Sequence, residues 1–447
     1  MLDVGAAQRD ITPVITETTD IMTLDVNGNG VWDPADGDEI EDRNGNGDFD
    51  PIFIGGFGNP RPASAVHDPQ WVRAIALRQN ETTIVMLMTD TFSIFLDDTD
   101  AIRERLADDD VDYVATCASH THQGTDTLGI YGLGETISGV DPAYLERVHI
   151  EGAAAAREAI AALQPAHIQY ATFRFRDQPG GMSRYVSDAR HPRIIDDEVR
   201  ILRFTEADSG DTIATWVNLA AHAEYWGSRN TELSSDYPHY LREGIENGIA
   251  GPDGELKPGV GGMATFCAGA LGSQIGPGEI TAETWAGEPL ERHGLEVMQT
   301  VGEQMAYFVL DALDEDGGSE TDETADLGFR NRRLFLDVQN AGFHIAILND
   351  LFVRQAYDWD PDQVLSPTNQ PDVETEVAIL DIGRMQILWM PGEIDPALFI
   401  GGYDGSHTPD DAVIVDTDVE NAPVLAMAPP APYLRDLARE DADWVAQ

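Results

Sequence analysis

Short runs of apolar and β-branched residues punctuate this chain, and stretches with helical periodicity fill the gaps between them. The strand-like runs cover 83–89 (TIVMLMT), 113–118 (YVATCA), 168–176, 198–204, 212–220, 263–268, 332–338, 343–348, 375–382 and 385–390. Helical patterns occupy 99–108, 143–164, 237–248 and 288–315, where apolar residues recur at three- and four-residue spacing. Strands that are apolar along their whole length belong to sheets covered on both faces. The expected fold is therefore α/β, with mixed sheets covered by helices in a layered sandwich. Residues 249–262 read as a Gly/Pro-rich surface loop, and 313–326 (DEDGGSETDETADL) as an acidic connector. Candidate site residues fall on both sides of that connector, so one catalytic unit spanning 1–447 is expected.

Charge narrows the partners. The chain carries 80 acidic and 27 basic residues, a formal net charge of -53, and Lys257 is its single lysine. Such a surface repels itself at low salt and is screened at high salt, which suits a saline environment. It offers no basic patch to replace phosphate counterions, so nucleic acid is excluded as a partner. No apolar run approaches the length of a membrane span, leaving at most transient contact with a membrane surface. Cys117 and Cys267 each sit in an apolar run and read as buried free thiols rather than a disulfide framework.

Residues 25–50 contain two copies of Asp-x-Asn-Gly-Asn-Gly, starting at Asp25 and Asp42. Oxygen side chains at alternate positions (Asp25, Asn27, Asn29, Asp33, then Asp42, Asn44, Asn46, Asp48, Asp50) can converge on one hard cation, and the glycines permit the turn. The spacing resembles an EF-hand loop without flanking helices, and Asp36 stands where the twelfth-position glutamate would be. Calcium-braced surface loops are expected. They suit millimolar extracellular calcium, hence a secreted or cell-surface protein. The opening MLDVGAAQRDITP has no signal-peptide pattern, which fits either a cytoplasmic protein or a leader already removed, and the calcium-type segment favours the second.

Three clusters end apolar strands. Ser119-His120-Thr121-His122-Gln123-Gly124 follows the run ending at Ala118. In extended chain, side chains two apart face the same way. Both imidazoles can then meet one metal, or one the metal and the other the substrate. Asn218-Leu-Ala-Ala-His222-Ala-Glu224 ends the next, before Ser234-Ser235-Asp236, whose aspartate reads as a helix cap. Met390-Pro-Gly-Glu393 ends the third. Strand C-terminal ends are where α/β folds place active sites. Two histidines and a glutamate leave a zinc coordination position open for water or substrate. Arg184, on a polar loop, could hold a developing oxyanion or form a surface ion pair. His67 could also reach the metal, whereas His149, His167 and His344 read as structural.

These blocks resemble the neutral/alkaline non-lysosomal ceramidase family. Asp10-Ile-Thr-Pro13 is similar to its opening strand motif, and Ala118-Ser-His120-Thr-His122-Gln-Gly124 to its Ala-Thr-His-Thr-His-Ser-Gly motif. Asn218–His222 with Ser234-Ser235-Asp236, and Met390-Pro-Gly-Glu393, match the later blocks in order, over roughly residues 8–400. The resemblance implies a zinc-dependent amidase cleaving N-acylsphingosine, on a mixed α/β catalytic domain. It implies His120, His222 and Glu393 as zinc ligands, with His122 and Arg184 contacting the scissile group or attacking oxygen. The family's active-centre serine falls in Cys267-Ala-Gly-Ala-Leu-Gly-Ser273-Gln274. Ser273 is the nearest hydroxyl, one residue out of step, and Gly272 takes the serine position. Tyr403 and Tyr433 are the candidates for the family's tyrosine ligand, and its C-terminal β-sandwich has no counterpart before Gln447. An ester, lactone or smaller N-acyl hydrolase is the first rival reading, and a non-catalytic calcium-braced surface protein the second.

Overall fold

The computed structural model describes residues 1–400 apart from 59, 135, 190–193, 279, 315–316, 353 and 367, together with 413–414. Its centre is a nine-stranded sheet. The strands are β1 (Leu2–Asp10), β2 (Trp71–Gln79), β3 (Thr82–Thr89), β4 (Tyr113–Ala118), β5 (Gln164–Arg174), β6 (Glu198–Glu206), β7 (Thr212–Leu219), β8 (Met263–Ala268) and β9 (Glu320–Asp322). They lie in the order β8-β7-β6-β5-β1-β2-β3-β4, with β9 also paired to β5.

The order reveals a repeated unit. In the first copy β1 pairs antiparallel with β2, β2 with β3, and β3 parallel with β4. In the second copy β5, β6, β7 and β8 repeat that sequence of pairings. Helix α1 (Leu96–Arg105) provides the first parallel crossover and α3 (Tyr237–Asn247) the second, because parallel neighbours need a crossover connection. Helices α2 (Pro142–Ala161) and α4 (Leu295–Leu313) follow β4 and β8. The copies join through the antiparallel pairing of β1 with β5.

Alternation along β2 sorts the layers. Val72, Ala74 and Ala76 face α1 and α2, while Ile75 and Leu77 face the opposite side. There a second sheet packs, made of β10 (Leu327–Asp337), β11 (Ala356–Tyr357), β12 (Asp372–Ile382) and β13 (Met385–Trp389). The result is the layered α/β sandwich anticipated from the strand runs. Helix α2 lies close on the sheet through small residues. Ala153, Ala156 and Ala159 are buried, and a Cβ on Gly5 would lie 2.1 Å from the Ala159 carbonyl oxygen. Its start is set by Asp141, which accepts from the Ala143 N–H, and by Pro142 at the first helical position.

Three expectations need correction, and one strand was not anticipated. Residues 343–348 are not a strand but belong to helix α5 (Ala341–Leu348), capped by Asn340. A short apolar run is ambiguous in period, and the cap decides it. Residues 71–79, absent from the strand-like runs above and interrupted by arginines at 73 and 78, form β2. The loop 249–262 contains a small hairpin, Gly248–Ala250 with Leu256–Pro258. Part of the connector 313–326 is also structured, since β9 pairs with β5.

Candidate metal centre

Each site histidine leaves the C-terminal end of a sheet strand and is then turned inward by backbone contacts. His120 follows β4 with φ +58, a left-handed conformation that costs a non-glycine residue about 1–3 kcal/mol and tends to occur at functional sites. Its Nδ1 bonds the Phe92 carbonyl at 2.8 Å. His222 follows β7, and the Gln274 carbonyl accepts from both its backbone N–H (2.9 Å) and its Nδ1 (3.1 Å). A carbonyl can only accept, so both rings carry the proton on Nδ1 and present a bare Nε2, the arrangement expected of metal-binding imidazoles. The two strand ends are stitched together nearby. The His122 N–H donates to the Ala223 carbonyl at 2.8 Å, and Thr121 Oγ1 donates to the Ser234 carbonyl at 2.9 Å.

Glu393 arrives from the second sheet. Trp389, the last residue of β13, donates its indole N–H to the Thr116 carbonyl of β4 at 2.7 Å. The Pro391-Gly392 turn then brings Glu393 over the histidines. Gly272 must be glycine here, because a Cβ would stand 2.5 Å from the Glu393 carbonyl oxygen. A serine side chain at 272 therefore does not fit beside this glutamate.

The donor atoms converge. Glu393 lies 3.4 Å from His120 Nε2 through Oε1, and 3.2 Å from His222 Nε2 through Oε2. His122 Nε2 is 3.2 Å from His120 Nε2, and ligand atoms of the three histidines lie within 4.8 Å of one another. Two ligands of a tetrahedral zinc, each about 2.0–2.1 Å from the ion, stand about 3.3 Å apart. The spacings fit that edge. Among the described residues this is the only group of three His, Cys, Asp or Glu side chains so converged.

Electrostatics keep most of the cradle unprotonated. Burial, then the charge of His222, pushes His120 down to about 4. Burial and the neighbouring His120 hold His122 well below its usual value. For His222 burial is the largest influence and acts downward, but the Glu393 and Glu224 carboxylates and the Gln274 carbonyl together outweigh it, and the net shift is upward. Proton competition with a metal should then fall mainly on His222. Zinc affinity, measured calorimetrically, should weaken as pH falls below 7, approaching about tenfold per pH unit once His222 is mostly protonated. A drop of two or more decades per unit would show that several rings compete, contrary to this electrostatic picture.

The surroundings include residues the sequence reading passed over. Glu224 Oε2 is 3.3 Å from His122 Nδ1, outside hydrogen-bonding geometry, and burial raises its carboxyl to about 7. Its spacing of two from His222 was the available signal. Phe92 and Gln274 act through backbone carbonyls, which no side-chain pattern reveals. Arg61 is fully buried and bonds the carbonyls of Gly55 and His122 and Gln123 Oε1. Asp68 accepts from Ser234 Oγ and from the Ser235 N–H. Asp236 caps α3 and also accepts from the N–H groups of Tyr225 and Trp226, so its cap also anchors the chain just beyond Glu224.

Other sequence candidates lie elsewhere or nearby. Ser273 is buried, one residue before Gln274, and its carbonyl accepts from the Ala189 N–H. Arg184 is ion-paired with Glu283, its guanidinium packed over Gly180. His67 does not join the cluster; it bonds the Tyr240 hydroxyl at 3.0 Å and packs on Trp226. His149 pairs with Asp98. Tyr403 and Tyr433 lie outside the described residues.

In the 25–50 segment the two copies share one hydrogen-bond pattern. Asp25 accepts from the N–H groups of Gly28 and Gly30, and Asp42 from those of Gly45 and Gly47. The side-chain oxygens of Asn27, Asn29, Asn44 and Asn46 each accept from the backbone two residues on. Asp33 accepts from the Ala35 N–H and Asp36 from Asn27 Nδ2, while Asp50 accepts from Asn44 Nδ2 and Asn46 Nδ2. Asp48 contributes its N–H to Asn46. Asp20 and Asp38, not singled out in the sequence, brace the loops from beneath by accepting from Arg43 and Asp50, and from Val26 and Asp33.

No family model matches the chain, and no curated protein matches it with significance. Solved structures do. A ceramidase complexed with C2 superposes with a TM-score of 0.57 at 14% identity, covering 87% of this chain and 62% of that one. The neutral ceramidase from Pseudomonas aeruginosa gives a TM-score of 0.56 at 16% identity, covering 87% and 61%. The chain thus spans somewhat over three-fifths of the length of these neighbours. Among the described residues no helix is long and apolar enough to cross a membrane. What the comparisons establish is a ceramidase-like fold, at low sequence identity to both neighbours.

Proposed function

We propose that this chain is a zinc-dependent hydrolase of an amide bond, acting on a lipid amide of the N-acylsphingosine type. The observation that carries the reading is the convergence of His120, His222 and Glu393 at zinc-ligand spacing, on a fold shared with ceramidases. His120, His222 and Glu393 would hold the ion. Zinc in such a set supplies Lewis acidity that polarises a carbonyl and lowers the pKa of water to about 7.

The chain's own residues supply the rest. His122 holds or accepts a proton at Nε2, and Glu224, 3.3 Å from its Nδ1, offsets positive charge on the ring when ionised. At neutral pH a proton shared by this pair resides on the carboxyl, since the ring is held well below its usual value and Glu224 stands at about 7. Phe57 and Phe92 pack against His122, and Phe92 also against His120, shielding the rings from water. Ser273 stays a candidate through its place beside Gln274. Arg184 would have to leave Glu283 to meet an oxyanion.

The 25–50 loops are assigned to Ca²⁺ on their duplicated oxygen spacing. An extracellular, saline setting is assigned on the charge of -53. The second reading, hydrolysis of another ester, lactone or N-acyl substrate, is favoured by the glycine at 272 in the serine position. Hydrolysis of N-acylsphingosines and of short N-acyl and ester substrates by zinc-loaded protein tests the proposal. Turnover of the lipid amide that chelation abolishes is the expected result. Turnover only of short esters or lactones would shift the assignment to the second reading.

A further inference from the structure

The two cysteines are 150 positions apart in sequence, yet the sheet's curvature brings them together. They occupy equivalent places in the repeated unit. Strand β4 reads YVATCA and β8 reads MATFCA, so each thiol is the penultimate residue of its strand and is followed by alanine. β4 and β8 are the two ends of the hydrogen-bonded order, but the sheet coils until these end strands lie against each other. No backbone ladder joins them there, so side chains alone close the seam. Both cysteines are free and share one core cluster, with Cys267 buried and Cys117 only half-buried. Burial and the adjoining Cys117 thiol both push the Cys267 thiol well above its ordinary value.

We infer that Cys117 and Cys267 form a disulfide that closes the seam between β4 and β8. The oxidant is a small-molecule disulfide of the glutathione class. The more exposed Cys117 attacks it as thiolate, forming a mixed disulfide and releasing one small thiol. Cys267, after losing its proton, attacks the Cys117 sulfur and expels the second small thiol. Two protein thiols thus lose two protons and two electrons, and the small disulfide gains them as two thiols. The bond would tie together the strand ends from which the His120 loop and the Ser273-Gln274 loop depart. It does not depend on whether a metal is bound or which substrate is cleaved.

The test treats the folded full-length chain with oxidised glutathione and counts thiols after denaturation, alongside intact mass and a non-reducing peptide map. The expected result is loss of both thiols together, a mass lower by about 2 Da with no glutathione adduct, and one cross-linked peptide joining 117 to 267. Tm should rise by roughly 2–5 °C over the reduced protein, since the closed loop is long but the chain is large. A C117S variant should show no such rise. The thiol count needs no variant, so misfolding of C117S leaves the test intact. Two titratable thiols after oxidation, a lasting adduct on Cys117 with Cys267 unreacted, or disulfide-linked dimers would each overturn the inference.

Discussion

His222→Ala is expected to strip the protein of zinc and to lower hydrolysis by on the order of 10³-fold or more. The argument rests on position. Loss of a supporting partner around a metal site typically costs about 10–100-fold in affinity or activity, and His222 is placed as a ligand itself. Its ring is buried, its Nδ1 is tied to the Gln274 carbonyl, and its Nε2 stands 3.2 Å from Glu393. Removing it takes away one metal donor and the ring that Glu393 rests against. Zinc content by elemental analysis and turnover should therefore fall together. His67→Ala is the control, because that ring packs on Tyr240 and Trp226 away from the cluster. Full zinc occupancy in His222→Ala would remove this residue from the ligand set.

The second large effect separates ligand from proton carrier. His122→Ala should keep most of its zinc while kcat falls by about 10²–10⁴-fold, the usual weight of a positioned acid-base group. Glu224→Gln keeps the side-chain volume, removes the charge, and should lose part of the same activity. Because both act on one proton, the double variant should be little worse than His122→Ala. The acid limb of the kcat profile, set by a carboxyl at about 7, should flatten in Glu224→Gln. Loss of zinc in His122→Ala would instead make it the third imidazole ligand, as its 3.2 Å approach to His120 Nε2 also permits.

How far residues foretold the molecule depended on the range of the interactions involved. Strands 113–118 and 263–268 were legible to the residue, because fully apolar runs bounded by polar turns have one reading. His120, His222 and Glu393 stood out because each ends such a run, where an unneeded polar side chain would be costly. Helix α5 was misread because the short run 343–348, apolar but for His344, carries no usable period. The carbonyls of Phe92 and Gln274 escaped notice, since backbone groups have no sequence signature. The repeated β-β-β-α-β-α unit was also hidden. Only the matching endings of YVATCA and MATFCA betray it, and their meaning appears once β4 and β8 are seen side by side. Arg184 looked available as an isolated loop arginine, whereas Glu283, far along the chain, already engages it.

The central claim is a zinc ion held jointly by the two strand-end histidines and the glutamate from the second sheet. Anomalous X-ray scattering from crystals of the zinc-loaded protein, collected on either side of the zinc edge, tests it most directly. The account predicts one strong peak within bonding distance of His120 Nε2, His222 Nε2 and a Glu393 carboxylate oxygen. A peak confined to the 25–50 loops, or no peak among these three residues at full zinc loading, would contradict it.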